Sequence, residues 1–182
     1  MSATWPEWLP LAERLKPLTP YGAPQIPADA TLNTNENPYP LSASLSAAIA
    51  ERIKEVATSL NRYPDRDATA LRSALAQFIN ELSGTSFTAD NIWAANGSNE
   101  IIQSLFLAFG EGRALGFTPS YSMHPLIARV TNTAWMDGAR REDFSLDIDL
   151  ALGEIAATKP SLTFITTPNN PTGSSLRIEE IE

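Results

Sequence analysis

From residue 92 onward, short apolar segments alternate with stretches in which apolar residues recur every three or four positions. A short apolar segment followed by a helix-length stretch is typical of a strand and the crossover helix that leads to the next parallel strand. The sequence therefore predicts an α/β fold with a mainly parallel sheet and flanking helices. The predicted strands are 92–95, 114–117, 134–136 and 162–166, and the predicted helices between them are 99–109, 122–131 and 149–157.

Two amphipathic helices are predicted ahead of this alternation. The first covers 41–56, where apolar residues recur at helical spacing and either Ser42 or Ser44 serves as the N-cap. The second begins at Asp67 and ends at residue 82, just ahead of Gly84, because glycine favours the end of a helix.

The first part of the chain has a different character. Six of its first 27 residues are proline, and only 9–15 has room for a short helix. We therefore predict that residues 1–30 form an extended N-terminal arm that lies on another surface, and that residues 31–182 belong to the α/β domain.

Charge and composition exclude several classes of partner. The chain has 21 acidic and 13 basic side chains, and its only adjacent basic pair is Arg140-Arg141, so we predict no nucleic-acid partner. The longest apolar run, 101–109, is interrupted by Gln103 and is too short for a bilayer, so we predict no membrane partner. The absence of cysteine and of a recognisable export signal favours a cytoplasmic location.

Ligands of parallel α/β sheets bind beyond the carboxyl ends of the strands, so the loops there are the candidate sites. In the loop 96–99, Gly97 allows the backbone to approach a ligand, and the N–H groups that open the next helix favour an anion. The spacing alone leaves two interpretations open. The loop is either a phosphate site or an ordinary turn in which Ser98 caps the helix.

Two further loops follow predicted strands. Tyr121 either stacks on a flat ligand or lies half-buried at the start of a helix. The loop 167–173 contains two asparagines, two prolines and a glycine, which favours a rigid turn that aims an amide at the end of the strand. His124 is the only histidine, and because it has no partner ligands nearby we predict a structural role for it and no metal site.

Six motifs, taken in order, resemble those of the fold type I pyridoxal-phosphate enzymes, and most closely those of the histidinol-phosphate aminotransferase family. The resemblance implies that residues 31–182 form an incomplete large domain of that fold, that pyridoxal 5'-phosphate (PLP) is the cofactor, and that the protein is a homodimer. The motifs are Leu18-Thr19-Pro20-Tyr21, Leu32-Asn33-Thr34-Asn35-Glu36-Asn37-Pro38, Asn61-Arg62-Tyr63-Pro64-Asp65, Asn96-Gly97-Ser98-Asn99-Glu100, Pro119-Ser120-Tyr121 and Pro168-Asn169-Asn170-Pro171-Thr172-Gly173.

The resemblance also implies roles for individual residues. The backbone around Ser98 and Asn99 would bind the cofactor phosphate, and Tyr121 would stack on the pyridine ring. Asn170 would hydrogen-bond the phenolic oxygen of the ring, and Tyr63 would reach the phosphate of the other subunit. The implied cofactor-binding residues are Gly97, Ser98, Asn99, Tyr121, Asn170 and Tyr63, and the implied substrate-binding residues are Tyr21 and Asn37.

The activity implied for the parent protein is the exchange of amino and keto groups between L-histidinol phosphate and 2-oxoglutarate, which yields glutamate, in histidine biosynthesis. The family needs a Schiff-base lysine, and none of Lys16, Lys54 and Lys159 lies in the family's setting for it. We therefore expect no catalytic lysine in these residues and no activity from them alone. Three alternatives stay open: an aromatic amino-acid aminotransferase, a phospho-amino-acid decarboxylase of the same fold, and a non-catalytic truncated product.

Overall fold

The structure, a computed structural model, describes residues 5–19, 22, 24 and 26–182. The described residues divide into two units, one made of residues 5–19 and 95–182 and the other of residues between 22 and 94. The predicted division into an arm of residues 1–30 and a domain of residues 31–182 stays a prediction. Among the described residues, no helix has the length and apolar character needed to cross a membrane.

The first unit is built on a three-stranded sheet. Strand β1 (Arg113–Thr118) lies in the centre, with β2 (Ala134–Ala139) on one side and β3 (Leu162–Phe164) on the other. Both neighbours run parallel to β1. The predicted parallel α/β fold is therefore confirmed.

Six α-helices are present in the described part of the chain, and the first two belong to the second unit. The three helices that lie between residues 98 and 158 follow the sequence prediction to within one residue at each end, because their apolar periodicity is regular. The helices are α1 (Ala43–Ala57), α2 (Thr69–Ser83), α3 (Ser98–Phe109), α4 (Met123–Val130), α5 (Ile148–Thr158) and α6 (Ile178–Ile181).

Strand β1 is buried on both faces of the sheet. Its successive side chains point to opposite faces, so Ala114 packs with Phe106 of α3 and Ala128 of α4, whereas Leu115 and Phe117 pack on the other face. That second face is covered by Leu146 and by Ala151 of α5. The sheet therefore lies between α3 and α4 on one side and α5 on the other.

The second unit shows how helices α1 and α2 begin and end. Ser42 is the N-cap of α1, because its hydroxyl accepts from the backbone N–H of Leu45 at 3.2 Å. The predicted start of α2 at Asp67 is wrong: the helix begins at Thr69, whose N–H donates to Asp65 Oδ2 at 2.8 Å. Asp67 instead pairs with Arg66, and α2 ends as predicted ahead of Gly84, which has φ +64°.

The predicted strand at 92–95 is absent from the structure. Ile92 has an extended backbone, but its carbonyl accepts from Arg72 Nε at 2.8 Å, and no strand in the described part of the chain pairs with this segment. An extended segment becomes a strand only when a neighbour supplies the matching hydrogen bonds. The apolar pattern therefore predicted the backbone conformation of Ile92 but not strand pairing.

Two other boundaries differ from the sequence prediction. The last strand ends at Phe164 rather than at residue 166, because the chain turns there into a hydrogen-bonded loop. In place of a helix over 9–15, the chain forms a short 3₁₀ helix at Glu13–Leu15. Its middle residue, Arg14, donates from Nη2 to the carbonyl of Val130 at 3.2 Å. The 3₁₀ helix thus lies against α4 within the first unit.

Candidate functional site

Three segments of the first unit form the candidate site. Since β1 and β3 are adjacent and parallel, the loops that follow them leave the same edge of the sheet. We call this edge the rim and define it as residues 96–99, 119–121 and 165–173. It is the position at which parallel α/β sheets bind their ligands.

The segment 96–99 leads into helix α3. Gly97, at φ +82°, occupies the N-cap position, and no side chain caps the helix there. Ser98 is the first helical residue, so the interpretation of Ser98 as the helix cap is wrong. Glu100 holds the turn by accepting from the N–H of Asn96 at 2.8 Å. The exposed first turn of α3 therefore leaves backbone N–H groups available to an anion.

Tyr121 connects the second loop to the start of α3. Its hydroxyl donates to Asn99 Oδ1 at 3.1 Å, and its ring meets His124 edge-on, with the ring centroids 5.4 Å apart. The side chain is half-buried, and it lies at the rim. The interpretation of Tyr121 as a half-buried residue at the start of a helix is therefore confirmed, and its stacking on a flat ligand stays a prediction.

His124 lies in the core beneath Tyr121. Its ring stacks on Phe164 at 4.6 Å and on Trp135 at 6.1 Å, and only 5% of the residue is exposed. Burial lowers the pKa of His124 below its ordinary value of 6.5, because desolvation disfavours the charged imidazolium. The structure thus places His124 among aromatic side chains, in keeping with the structural role predicted for it.

The two asparagines of the third loop have opposite environments. Asn170 is exposed, and its amide makes no hydrogen bond within the described part of the chain. Asn169 is 2% exposed, and its amide bonds to groups of both loops. Sequence reasoning assigned a role to Asn170 alone. No local pattern distinguishes Asn169 from Asn170, because the partners of Asn169 include Pro119 and Ser120, about fifty residues away in sequence.

The adjacent arginines lie just past the end of β2. Arg140 Nε donates to the carbonyl of Phe117 at 3.1 Å, and its Nη1 donates to the carbonyl of Phe144 at 3.2 Å. Partial burial lowers the pKa of Arg140. Arg141 pairs with Asp147, the N-cap of α5, at 3.0 Å. The only adjacent basic pair in the sequence is therefore engaged with the protein itself.

Two of the remaining predicted site residues belong to the second unit. Tyr63 belongs to the second unit and is fully exposed. Asn37 also belongs to that unit, and its Oδ1 accepts from the N–H of Tyr39 at 3.0 Å. Tyr21 lies outside the described residues. The structure thus brings together, in the first unit, the predicted residues Gly97, Ser98, Asn99, Tyr121 and Asn170.

Comparison with known proteins identifies the family. The family model described as aminotransferase class I and II matches residues 29–182. The chain therefore belongs to the class I and II aminotransferase family, which confirms the resemblance drawn from the six motifs. Its curated relatives include proteins named histidinol-phosphate aminotransferase from Mycobacterium sp. strain KMS, 52% identical over 95% of this chain, and from Corynebacterium glutamicum strain R, 53% identical over 96%.

This chain spans about half the length of those relatives, 46% of the first and 48% of the second. Among solved structures, a PLP-bound C-S lyase from Staphylococcus hominis superimposes with a TM-score of 0.66 at 19% identity, over 77% of this chain and 37% of the other. Aspartate aminotransferase from Thermus thermophilus gives 0.62 at 20% identity, over 74% and 37%. The parallel sheet and its helices therefore cover only part of the family fold.

The rim presents the three kinds of group that PLP needs in a binding site. A phosphate ester needs N–H donors, which the uncapped first turn of α3 provides after Gly97. A pyridine ring needs a flat surface, which the half-buried ring of Tyr121 provides. A phenolic oxygen needs a donor, and the Asn170 amide is exposed and uncommitted among the described residues.

Proposed function

We propose that the protein acts in PLP-dependent transamination between L-histidinol phosphate and 2-oxoglutarate. The observation that carries the proposal is the hydrogen bond from Tyr121 to Asn99, which sets an aromatic ring beside the uncapped start of α3. Identity above 50% to relatives named for this activity, across nearly the whole chain, supports the choice of substrate.

PLP, when bound, supplies a ring that stabilises negative charge at the carbon that carries the amino group. The chain's own residues hold that ring. The first turn of α3 binds the phosphate, and its dipole alone contributes about 0.3–1 kcal/mol, or up to about 2 when partly buried. Contact with the ring of Tyr121 adds about 0.5–1.5 kcal/mol beyond area burial. The Asn170 amide donates to the phenolic oxygen, and a donor there favours the deprotonated oxygen.

The lysines of this chain do not suit covalent attachment of the cofactor. Lys16 is paired with Glu13, and Lys159 follows α5 immediately before β3, at the edge of the sheet opposite the rim. Lys54 lies on the surface of α1, beside Glu51 at 3.5 Å. We therefore propose that a polypeptide of these 182 residues alone does not transaminate.

The proposal extends to the assembly and its location. We propose a cytoplasmic homodimer in which Tyr63 contacts the cofactor phosphate of the partner, and in which Tyr21 and Asn37 face the substrate. Full exposure of Tyr63 agrees with a side chain that contacts another molecule. The residues 31–182 would then form part of the large domain, and residues 1–30 the arm.

The test is to purify the complete gene product, titrate it with PLP, and record visible absorption and initial rates. We expect bound PLP to add visible absorption, and the rate with histidinol phosphate to exceed the rate with phenylalanine. Asn170→Ala and Tyr121→Ala should weaken PLP binding. Gln103→Ala, which removes an exposed amide from α3 beyond its first turn, is the matched control and should not.

A colourless product that gains no visible absorption with excess PLP would contradict the proposed cofactor. Faster turnover of phenylalanine than of histidinol phosphate would retain the cofactor and overturn the substrate. Release of carbon dioxide from a phosphorylated amino acid would indicate the decarboxylase.

A further inference from the structure

Asn169 uses every hydrogen-bonding position of its side-chain amide. Its Oδ1 accepts from Ser120 Oγ at 2.8 Å and from the hydroxyl of Thr166, and its Nδ2 donates to the carbonyl of Pro119 at 3.0 Å and to Thr172 Oγ1 at 2.8 Å. An asparagine side chain has two acceptor positions and two donor hydrogens. The buried amide is therefore fully satisfied.

These bonds join two loops that are about fifty residues apart in sequence. Pro119 and Ser120 belong to the loop after β1, whereas Thr166 and Thr172 belong to the loop after β3. The backbone of Asn169 closes the second loop as well, through its N–H to the carbonyl of Ser174 and its carbonyl to the N–H of Gly173, both at 2.7 Å. One residue thus fixes the second loop and attaches it to the first.

We propose that Asn169 is a positioning residue that fixes Tyr121 and Asn170 relative to each other. Each of these residues is the chain neighbour of a group in the Asn169 network: Tyr121 follows Ser120, and Asn170 follows Asn169. Because Asn169 is buried, it would act on a ligand through these two residues. This proposal rests on the proposed function, since the cofactor is what Tyr121 and Asn170 would hold together.

Neither aspartate nor serine satisfies this network. Asn169→Asp keeps the shape and the two acceptor positions, but it turns a carboxylate towards the carbonyl of Pro119, which then has no donor. Asn169→Ser is too short to reach both loops. Leaving a buried polar group without a partner is costly, so either change should separate the loops rather than leave them joined.

The first experiment uses the complete gene product without PLP, so that its outcome is independent of the proposed function. Hydrogen–deuterium exchange is measured for 118–124 and for 165–176 in the wild type, in Asn169→Ser and in Asn169→Asp. We expect faster exchange in both segments at once, although the substitution lies in one of them. Asn170→Ala is the matched control and should accelerate neither, because its amide is uncommitted within the described residues. Faster exchange in 165–176 alone would overturn the proposal.

The second experiment measures PLP affinity. Since Asn169→Ser removes several net-favourable hydrogen bonds, we expect PLP to bind about tenfold more weakly or worse. If Asn169 acts through Asn170 and Tyr121, adding Asn169→Ser to the Asn170→Ala, Tyr121→Ala double variant should weaken binding little further. A full additional loss would overturn the proposal. Ser120→Ala, a milder change to the same network, should give a smaller effect of the same kind, so an Asn169 variant that fails to fold does not end the test.

Discussion

His124 shows how one buried side chain affects the candidate site. Its ring lies between the Tyr121 ring at the rim and the Phe164 ring in the sheet, with centroid separations of 5.4 Å and 4.6 Å. Contacts of this kind hold each ring in a preferred orientation. The neutral imidazole is thus part of the support beneath Tyr121, and a charged imidazolium at this buried position is disfavoured.

We predict that this burial makes stability depend on pH. The folded pKa of His124 lies below the ordinary value of 6.5, so between the two values the unfolded chain binds more protons. The contribution of His124 is therefore complete above about pH 6.5, decreases as the pH falls below it, and levels off below the folded pKa. Urea unfolding of the complete gene product from pH 8 to pH 5 measures the effect.

The control for this pH dependence is His124→Phe, which keeps a flat ring and cannot titrate. Because the two proteins differ only at position 124, the difference between their pH profiles isolates the contribution of His124 from that of the carboxylates. We expect the wild type to lose more stability than the variant as the pH falls. Parallel pH profiles would show that protonation of His124 does not oppose folding.

At the level of single elements, Asp65 determines where helix α2 begins. Its Oδ2 accepts from the N–H of Thr69 at 2.8 Å, and its Oδ1 accepts from the N–H of Asp67 at 3.2 Å. Although Ala68 occupies the N-cap position, the acidic residue that ends the Arg62-Tyr63-Pro64-Asp65 segment thus accepts from the first N–H of the helix. It fixes the backbone two residues after Tyr63, the side chain proposed to reach the partner subunit.

We predict that Asp65→Ala lowers the free energy of unfolding by about 0.5–2 kcal/mol, the usual cost of removing a side-chain acceptor from the N–H groups that open a helix. Asp67→Ala is the matched control. Asp67 pairs with Arg66 on the surface, and such pairs contribute little, so we expect that change to leave stability nearly unaltered. Denaturant unfolding of both variants measures these changes. Equal losses of stability would show that Asp65 does not stabilise the start of α2.

Two glycines lead to opposite predictions. A Cβ at Gly138 of β2 would lie 2.6 Å from the buried ring of Phe117 and would also contact Glu154, so Gly138→Ala should destabilise the fold by about 1–3 kcal/mol.

A Cβ at Gly153 of α5 would meet nothing within 4 Å, so Gly153→Ala should stabilise the fold by about 0.5–1 kcal/mol. Thermal and denaturant unfolding measure the stability of both variants. If both substitutions changed stability in the same direction, the packing described around one of the two glycines would be contradicted.

Across the whole molecule, what the sequence predicted depended on local pattern. The central strand and the helices after Ile92 were predictable because apolar periodicity and turn residues are properties of neighbouring positions. The strand at 92–95 was predicted wrongly because a strand requires a partner, and its carbonyl at Ile92 is taken by Arg72 instead. The role of Asn169 was not predictable because its bonds to Pro119 and Ser120 join loops about fifty residues apart.

The proposed dimer leads to a prediction that concerns two chains at once. If Tyr63 completes the site of its partner, a dimer of one Tyr63→Phe protomer and one Asn170→Ala protomer contains one site with both defects and one site with neither. If Tyr63 served its own site, each site of that dimer would carry one defect. The two arrangements therefore differ in whether a mixed dimer holds an intact site.

Co-expression of the two variants with different affinity tags, followed by purification through both tags, isolates the mixed dimer. We expect its transaminase activity and PLP affinity to exceed those of either single-variant dimer, because one site has been restored. The control is a dimer of two copies of the same variant, one with each tag, that is purified by the same two steps. A mixed dimer that is no more active than either single-variant dimer would place Tyr63 in the site of its own chain. Higher activity of the mixed dimer would show that the exposed Tyr63 of one chain contacts the site of the other.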